Sequence, residues 1–555
     1  MKDFIVLGIN KSHNASAALL VNNEVVFHIE SERISGVKYD PHPFVAINKI
    51  KDFVDHIDVL VISGLSETRS SYDTGTDVDA YTATVMGLGK GFSNNSFEII
   101  DLGSQHHATH AYCAFYNSGF ESSLVIVKDG MGSDYKVPGT DYHGKERGTS
   151  FTMSYPHNLT TIDKHISIQN PIDNKIIIDN SIYLTNSISE GSAFEAVALA
   201  LGFDIHDAGK VMGLSAYGNY NSNIPPIYKD GFINTDIFKT YPGGNIPYLN
   251  LEIENNISWE SDLSYALQTE IQKNVIPYIL KMIEKTKEKN LCLTGGFFLN
   301  CVLNYELLKF LPKEINVYVE PISSDAGTAI GAAKAVYYYK TKSLEKSIQK
   351  NVYYGPKHKY DLKDLDGHLY RLVDAEEVAK LISEKNIVAI YQGKSESGPR
   401  ALGNRSILYD PRDVGGKDRV NTVKKREFFR PFAGSILFEH MNDWFDMRNL
   451  SESKFMTYAV KVLEDKKIFI PAITHVDGTC RVQTVSTEDN NNFYKVIYEF
   501  YKITGIPIIL NTSFNLAGDT ICETLEDSLK TLYNSDIDFL YLPEISALVY
   551  KEKEV

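Results

Sequence analysis

His106 and His110 stand four residues apart in the run S-Q-H-H-A-T-H, with Asp101 upstream and Cys113 beyond. On a helix that spacing puts two imidazoles on one face, one turn apart, as metal ligands are often placed. A zinc protease also shows H-x-x-x-H, but it needs a glutamate directly after the first histidine as general base. His107 holds that position, which excludes the protease. Two acidic residues would complete a binding site: Asp129, at the end of the apolar run 124–127, and Asp325, in the S-S-D-A-G loop. Two imidazoles with carboxylates suit a borderline divalent ion such as iron, zinc or manganese. A histidine cluster serving only packing has the same spacing, so on the helix alone both readings stay open.

A second group of residues points to anions. The segment G-P-R-A-L-G-N-R offers Arg400 and Arg405 around glycine turns, and K-K-R-E-F-F-R offers Lys424, Lys425, Arg426 and Arg430 between aromatics. Arg481 follows the Asp477-Gly478 turn, and Asn511, Ser513 and Asn515 follow the run I-P-I-I-L. Arginine supplies planar bidentate contacts to phosphate and lysine a point charge, and loops at strand C-termini are common ligand positions. A basic run is more often a solvated face, but the interleaved Phe428, Phe429, Pro431 and Phe432 favour partial burial.

The elements that must position these groups read as α/β. The opening F-I-V-L-G-I-N-K-S-H-N-A-S-A-A-L-L-V-N-N-E-V-V-F-H-I-E is a β-meander turning at Asn22-Asn23. A related pattern returns in S-S-L-V-I-V-K-D-G and G-T-S-F-T-M-S-Y, which predicts a duplicated α/β domain with a cleft between its halves. Placed on a helix, Ala108, Ala111, Tyr112 and Phe115 form its inward stripe, with His106 and His110 on the other side beside Cys113 and Asn117. Ser189 to Phe203 has helical spacing at Phe194, Val197, Ala198 and Leu201 with a Gly202 stop. Gly295 and Gly296 follow a strand and lead into a helix, where glycine lets backbone approach a phosphate or ribose, or simply packs tightly. The lysine-rich stretch 340–360, ending near Gly-Pro, marks a boundary between an N-terminal domain, 1–350, and a C-terminal domain, 361–555.

A formal net charge of −15 over 555 residues argues against gripping nucleic acid. The five cysteines are scattered, which predicts reduced thiols and a cytoplasmic protein. No signal-peptide pattern and no run of 18 apolar residues occurs, so no membrane association is expected.

Taken together, E-S-E-R-I-S-G-V-K, H-H-A-T-H-A, K-D-G-M-G, A-G-K-V-M-G-L-S-A-Y-G, T-G-G-F-F-L-N-C-V-L-N, S-D-A-G-T-A-I-G-A-A, S-G-P-R-A-L-G-N-R-S-I-L, V-K-K-R-E-F-F-R-P-F-A, H-V-D-G-T-C-R-V-Q-T-V and N-T-S-F-N resemble the O-carbamoyltransferase family. That family includes nodulation protein U and the cephem and tobramycin carbamoyltransferases. The resemblance implies an N-terminal actin-like ATPase fold and a C-terminal α/β domain resembling threonylcarbamoyl-adenylate synthases. It implies carbamoyl-adenylate formation from ATP and carbamoyl phosphate, Mg2+ accompanying ATP, then transfer to a hydroxyl or amine of a small-molecule acceptor beside an iron-type metal. The implied ligands are His106, His110, Asp129 and Asp325, the four picked from spacing. Lys38 is expected at the adenylate phosphate, His13 as acceptor-orienting group or base, and Gly295, Gly296 and Asn300 near the nucleotide. Lys424-x-Arg426 with Ser513-x-Asn515 resembles the K-x-R and S-x-N pairs of the adenylate-forming fold, with Arg400, Arg430, Arg481 and Asn511 completing the expected set. Two positions depart from the pattern: Asn14 follows His13 where relatives usually have aspartate, and Ser397 replaces an aromatic that often precedes Gly-Pro-Arg. Loops 135–147 and 218–250 are expected to govern acceptor choice. The competing readings are a tRNA threonylcarbamoylation-type factor and a non-catalytic actin-like ATP-binding regulator.

Overall fold

The computed structural model describes residues 3–64, 97–169, 172, 175–241, 246–251 and 256–552. The opening apolar runs form the antiparallel strands β1 (Ile5–Asn10), β2 (Ser16–Val21) and β3 (Glu24–Glu30). The reversal between β2 and β3 uses Asn22 at φ 54°, a left-handed conformation that asparagine tolerates better than most residues. On the other side of β1 run β4 (Val59–Ser63) and β5 (Glu98–Asp101), both parallel, giving the order β3-β2-β1-β4-β5.

A second sheet repeats this plan. Its first strand, β6 (Ser122–Lys128), pairs antiparallel with His143–Ser154, which pairs antiparallel with Asn158–Ser167. On its far side β6 runs parallel to Asn290–Thr294, and that strand runs parallel to Asn316–Val319. Strand order and directions match the first sheet, so the two meanders do open duplicated α/β halves.

Helix α1 (His106–Ser118) packs on helix α2 (Thr328–Thr341), with α1 against β6 and Asn290–Thr294 and α2 against β1, β2 and β4. This corrects the expected one-sided stripe. Ala111, Tyr112 and Phe115 are buried, but so are His106, His110, Cys113 and Asn117, because both faces of α1 are covered. The helices approach closely: a Cβ at Gly331 of α2 would overlap the Thr109 carbonyl oxygen of α1. Small residues on α2 therefore carry its N-terminal loop, and Asp325 with it, up to the histidines.

β3 carries a fully buried histidine, His28, whose Nε2 lies 2.9 Å from the Ala326 carbonyl oxygen. Burial pushes its pKa from 6.5 down to about 4, although the bond to Ala326 opposes the shift. Over that interval the unfolded chain binds a proton that the folded chain refuses. Stability of this unit should therefore be lost as pH falls from 6.5 towards 4 and level off below. His28→Gln should flatten this segment of a plot of urea midpoint against pH; an unchanged slope would place the dependence elsewhere.

The chain divides into two compact units. One comprises Met1–Ser35, Tyr39–Leu299 and Phe310–Gln349, the other Gly36–Lys38, Asn300–Lys309 and Lys350–Val555. The crossover at 349–350 falls inside the lysine-rich stretch. Lys38 and Asn300 differ from the sequence grouping: their contacts place both in the second unit.

That unit is built on a ten-stranded sheet. Its strand Ile508–Ser513 is flanked antiparallel by Arg405–Tyr409 and Ala433–Leu437, and Thr479–Val485 runs parallel to Ala433–Leu437. Register sets Arg481 and Asn511 on either side of Ala433. No described helix is long and apolar enough to cross a membrane.

Candidate functional site

In the first unit, His106 and His110 project from the first turns of α1 towards Asp129, just past β6, and Asp325, at the turn leading into α2. One ligand atom from each of the four lies within 4.8 Å of the others, and all four residues are buried. His106 Nε2 is 3.0 Å from Asp129 Oδ2 and 3.1 Å from His110 Nε2. Asp325 Oδ1 is 3.6 Å from His106 Nε2 and 3.5 Å from His110 Nε2, and His110 Nε2 is 3.7 Å from Asp129 Oδ2. Ligands about 2.1 Å from a tetrahedral ion lie roughly 3.4 Å apart, so the spacings fit a single divalent ion. Charge agrees. Burial opposes protonation of His106, yet Asp325 and Asp129 outweigh it and hold the pKa well above 6.5. Burial and mutual repulsion favour neutral carboxyls, yet the two imidazoles draw Asp129 and Asp325 below the usual carboxylate range. Two dry carboxylates thus demand positive charge, which a divalent ion meets while leaving the imidazoles neutral.

His13 approaches from the loop after β1, with Nδ1 3.7 Å from Asp325 Oδ2 and its side chain 45% exposed. Its ring stacks on His206, centroids 4.7 Å apart and planes 10° apart, and Tyr39 packs on His206 in turn. Burial, then His13, pushes His206 down to about 4, so this ring stays neutral. The glycine pair packs tightly against the end of β6. Gly295 takes φ 93°, a Cβ there would overlap the Lys128 carbonyl oxygen, and Gly296 N–H donates to Asp129 Oδ1 at 3.2 Å.

Two acidic residues beside this centre escaped the sequence reading. Glu195 has its carboxyl against Gly130, and burial followed by Asp129 raises its pKa to about 7. Glu190 pairs with Lys128 at 2.6 Å and accepts from Tyr228 OH at 3.1 Å, which fastens loop 218–250 next to Asp129. Residues 242–245 of that loop lie outside the described residues. Glu195 follows Phe194 but lies off the apolar stripe of its helix, and neither spacing nor residue type separates it from a surface acid.

The second unit gathers four guanidinium groups. Burial, then Arg481 among the neighbouring charges, pushes Arg400 down to about 9. Burial, then Arg430 and Arg481, does the same to Arg426. Arg481 is lowered by burial too, and its Nε is buried without a hydrogen-bond partner. Glu427, 3.6 Å from Arg430 Nη1, offsets part of this charge. Mutual repulsion among partly buried cations is relieved by an anion, and phosphate fits the geometry of arginine.

Lys424 and the S-x-N loop do meet. Lys424 is fully buried and donates to the Ser513 carbonyl, to the Asn515 carbonyl at 2.7 Å and to Asn515 Oδ1 at 3.1 Å. Burial, then Arg426 and Arg430, holds its pKa well below 10.5. It ties down the 513–515 loop, beside which Arg426 Nη2 lies 3.5 Å from Ser513 Oγ. Asn511 is likewise a clamp, its Nδ2 reaching Ser435 Oγ at 2.9 Å and Gln483 Oε1 at 3.1 Å. Asn300 caps the helix Cys301–Leu308 by accepting from Leu303 N. Arg405 is fully buried, stacked 3.9 Å from the Tyr391 ring centroid, and donates to the carbonyls of Gln392 and Asn404, so it is withdrawn from the phosphate-binding set. Lys38 is exposed.

The molecule is thus a two-unit α/β protein with a buried two-histidine, two-carboxylate cluster in one unit and a cluster of arginines in the other. The family profile for the carbamoyltransferase N-terminus matches residues 81–334, and that for the carbamoyltransferase C-terminus matches 379–548. The chain is 34% identical over 458 residues to nodulation protein NolNO of Sinorhizobium fredii, covering 78% of this chain and 62% of that one. It is 30% identical to an uncharacterized protein of Methanocaldococcus jannaschii over 97% of this chain and 98% of that one. It is 25% identical to the 3'-hydroxymethylcephem-O-carbamoyltransferase of Amycolatopsis lactamdurans over 94% of this chain and 95% of that one. The chain belongs to the carbamoyltransferase family, enzymes that transfer carbamoyl groups.

Proposed function

We propose that the chain makes carbamoyl-adenylate from ATP and carbamoyl phosphate in its second unit and transfers the carbamoyl group, in its first unit, to a hydroxyl or amine of a small polar metabolite. The observation that carries this reading is the separation of machinery: phosphate-type guanidiniums in one unit, a metal-type His2Asp2 centre in the other. The duplicated 3-2-1-4-5 sheets agree with an actin-like ATPase fold for the first unit.

Atom balance sets the first step: carbamoyl phosphate, water and ATP give carbamoyl-adenylate, phosphate and pyrophosphate. Arg400, Arg426, Arg430 and Arg481 hold the phosphoryl oxygens, and Lys424 keeps Ser513 and Asn515 in place beside them. Lys38 is assigned to the adenylate phosphate. In the second step the acceptor oxygen bonds to the carbamoyl carbon, the bond to AMP breaks, and the acceptor proton passes to His13. His106, His110, Asp129 and Asp325 would hold a divalent ion, iron by family resemblance, which supplies Lewis-acid stabilisation of negative charge developing on oxygen. Asp325 orients His13, and Glu195 offers a carboxyl to a hydroxyl-bearing ligand. A hydroxyl acceptor is supported by the printed name of the Amycolatopsis relative, which specifies a hydroxymethyl group. Incubation with ATP, carbamoyl phosphate and a panel of sugars, aminoglycosides and polar metabolites should yield at least one product heavier by one carbamoyl group. Retention of tRNA at moderate salt with no such product would support the tRNA-modification reading instead.

A further inference from the structure

The loop that carries Arg400 is built around an anion of its own. Glu396 is buried, and its Oε1 accepts from the backbone N–H groups of Leu402 and Asn404, both at 2.8 Å, and of Arg405 at 3.3 Å. The remaining N–H of the turn, at Gly403, donates to Ser406 Oγ at 3.0 Å. Glycine-containing loops that bind phosphate commonly do so by aiming such successive N–H groups at the ligand. Here four consecutive ones are taken, three of them by a resident carboxylate. At this turn the grip on a substrate anion is therefore left to side chains.

The same loop is fastened from outside. Its Leu402 carbonyl accepts from Gln483 Nε2 and from Tyr353 OH, both at 2.9 Å, and its Ala401 carbonyl accepts from Asn511 Nδ2 at 3.3 Å. Gln483 stands two residues beyond Arg481 on Thr479–Val485, so the two side chains share a face of the sheet. Arg400 leads directly into this fastened loop, with the charge of Arg481 close by.

The geometry points to Glu396 as the positioning residue of the anion site: its carboxylate takes the place of a phosphate inside the 402–405 turn and so presents Arg400 to the substrate's phosphate. This rests on the reading of the arginine cluster as an anion site. It goes beyond that reading by assigning the grip to side chains and the loop's own N–H groups to an internal acid.

A double-mutant cycle tests it, with full-length protein titrated calorimetrically with ATP and with inorganic tripolyphosphate. Glu396→Ala and Arg400→Ala are each expected to weaken binding about tenfold. The double variant is expected to be no weaker than the weaker single one, because Glu396 acts through Arg400. Glu396→Gln, which keeps an acceptor oxygen, should bind at least threefold (roughly) tighter than Glu396→Ala. Losses that multiply in the double variant, or wild-type binding by Glu396→Ala, would overturn the assignment. Should Glu396→Ala fail to fold, Glu396→Gln paired with Arg400→Ala runs the same cycle. Amide exchange at Leu402 and Asn404 is read in parallel and should accelerate in the Glu396 variants; unchanged exchange there overturns the loop's dependence on Glu396. If the wild-type protein binds neither probe, the anion-site reading fails, while exchange still decides the role of Glu396 in the turn.

Discussion

Alanine at both His106 and His110 is expected to strip the first unit of its divalent ion and to cut carbamoyl transfer by about 10³-fold or more. Lewis-acid stabilisation is worth several kcal/mol, and each ~1.4 kcal/mol is tenfold in rate. The two imidazole Nε2 atoms supply half of the four ligand atoms gathered within 4.8 Å. Their removal leaves Asp129 and Asp325 facing each other in a buried pocket, so the loss falls on the site rather than on one bond. Metal content by elemental analysis and transfer from supplied carbamoyl-adenylate should fall together. Unchanged metal content with unchanged transfer would mean that the histidines serve packing alone.

Arg426→Ala is expected to lower carbamoyl-phosphate-dependent pyrophosphate release by about 10²–10³, the usual cost of one preorganised donor at a charged transition state. Arg430→Ala should cost less, because that side chain is more exposed and shares its charge with Glu427. Transfer from supplied carbamoyl-adenylate should survive both substitutions. Asp129→Asn should show the reverse, with synthesis largely intact and transfer lost. An Asp129→Asn variant that loses synthesis but keeps transfer would reverse the assignment of the two units. Because carbamoyl-adenylate is a hydrolysable mixed anhydride, it should be made and used away from bulk water. Mixing the two defective variants shows whether it escapes: restored product means release between sites.

The parts of this architecture that follow local periodicity could be read from the sequence. The meanders at Ile5–Glu30 and after Ser122, the Ser189-capped helix and the i, i+4 histidines are all set by short-range pattern, and the structure contains each. Asp129 and Asp325 were reachable because each ends or begins an element at a recognisable turn. What was lost was long-range burial. Spacing showed one apolar stripe on α1, but a helix packed between a sheet and α2 is covered on both sides, so its histidine face is buried too. Lys424, Arg405 and Asn511 drew attention because their residue types suit phosphate or nucleotide, but their contacts within the fold were not legible. Most of the partners their donors meet lie between about thirty and about 120 residues away along the chain, and no local pattern encodes those contacts. His206 and Glu396 were missed for the converse reason. Each acts through a neighbour, His13 in one case and the 402–405 turn in the other, that becomes adjacent only in three dimensions.

The most direct measurement is pyrophosphate release from ATP by the purified protein, with and without carbamoyl phosphate and with no acceptor present. The account predicts release only when both substrates are supplied, with one phosphate formed per pyrophosphate. Pyrophosphate release that is indifferent to carbamoyl phosphate, or no release at all from protein whose arginine cluster binds ATP, would contradict it.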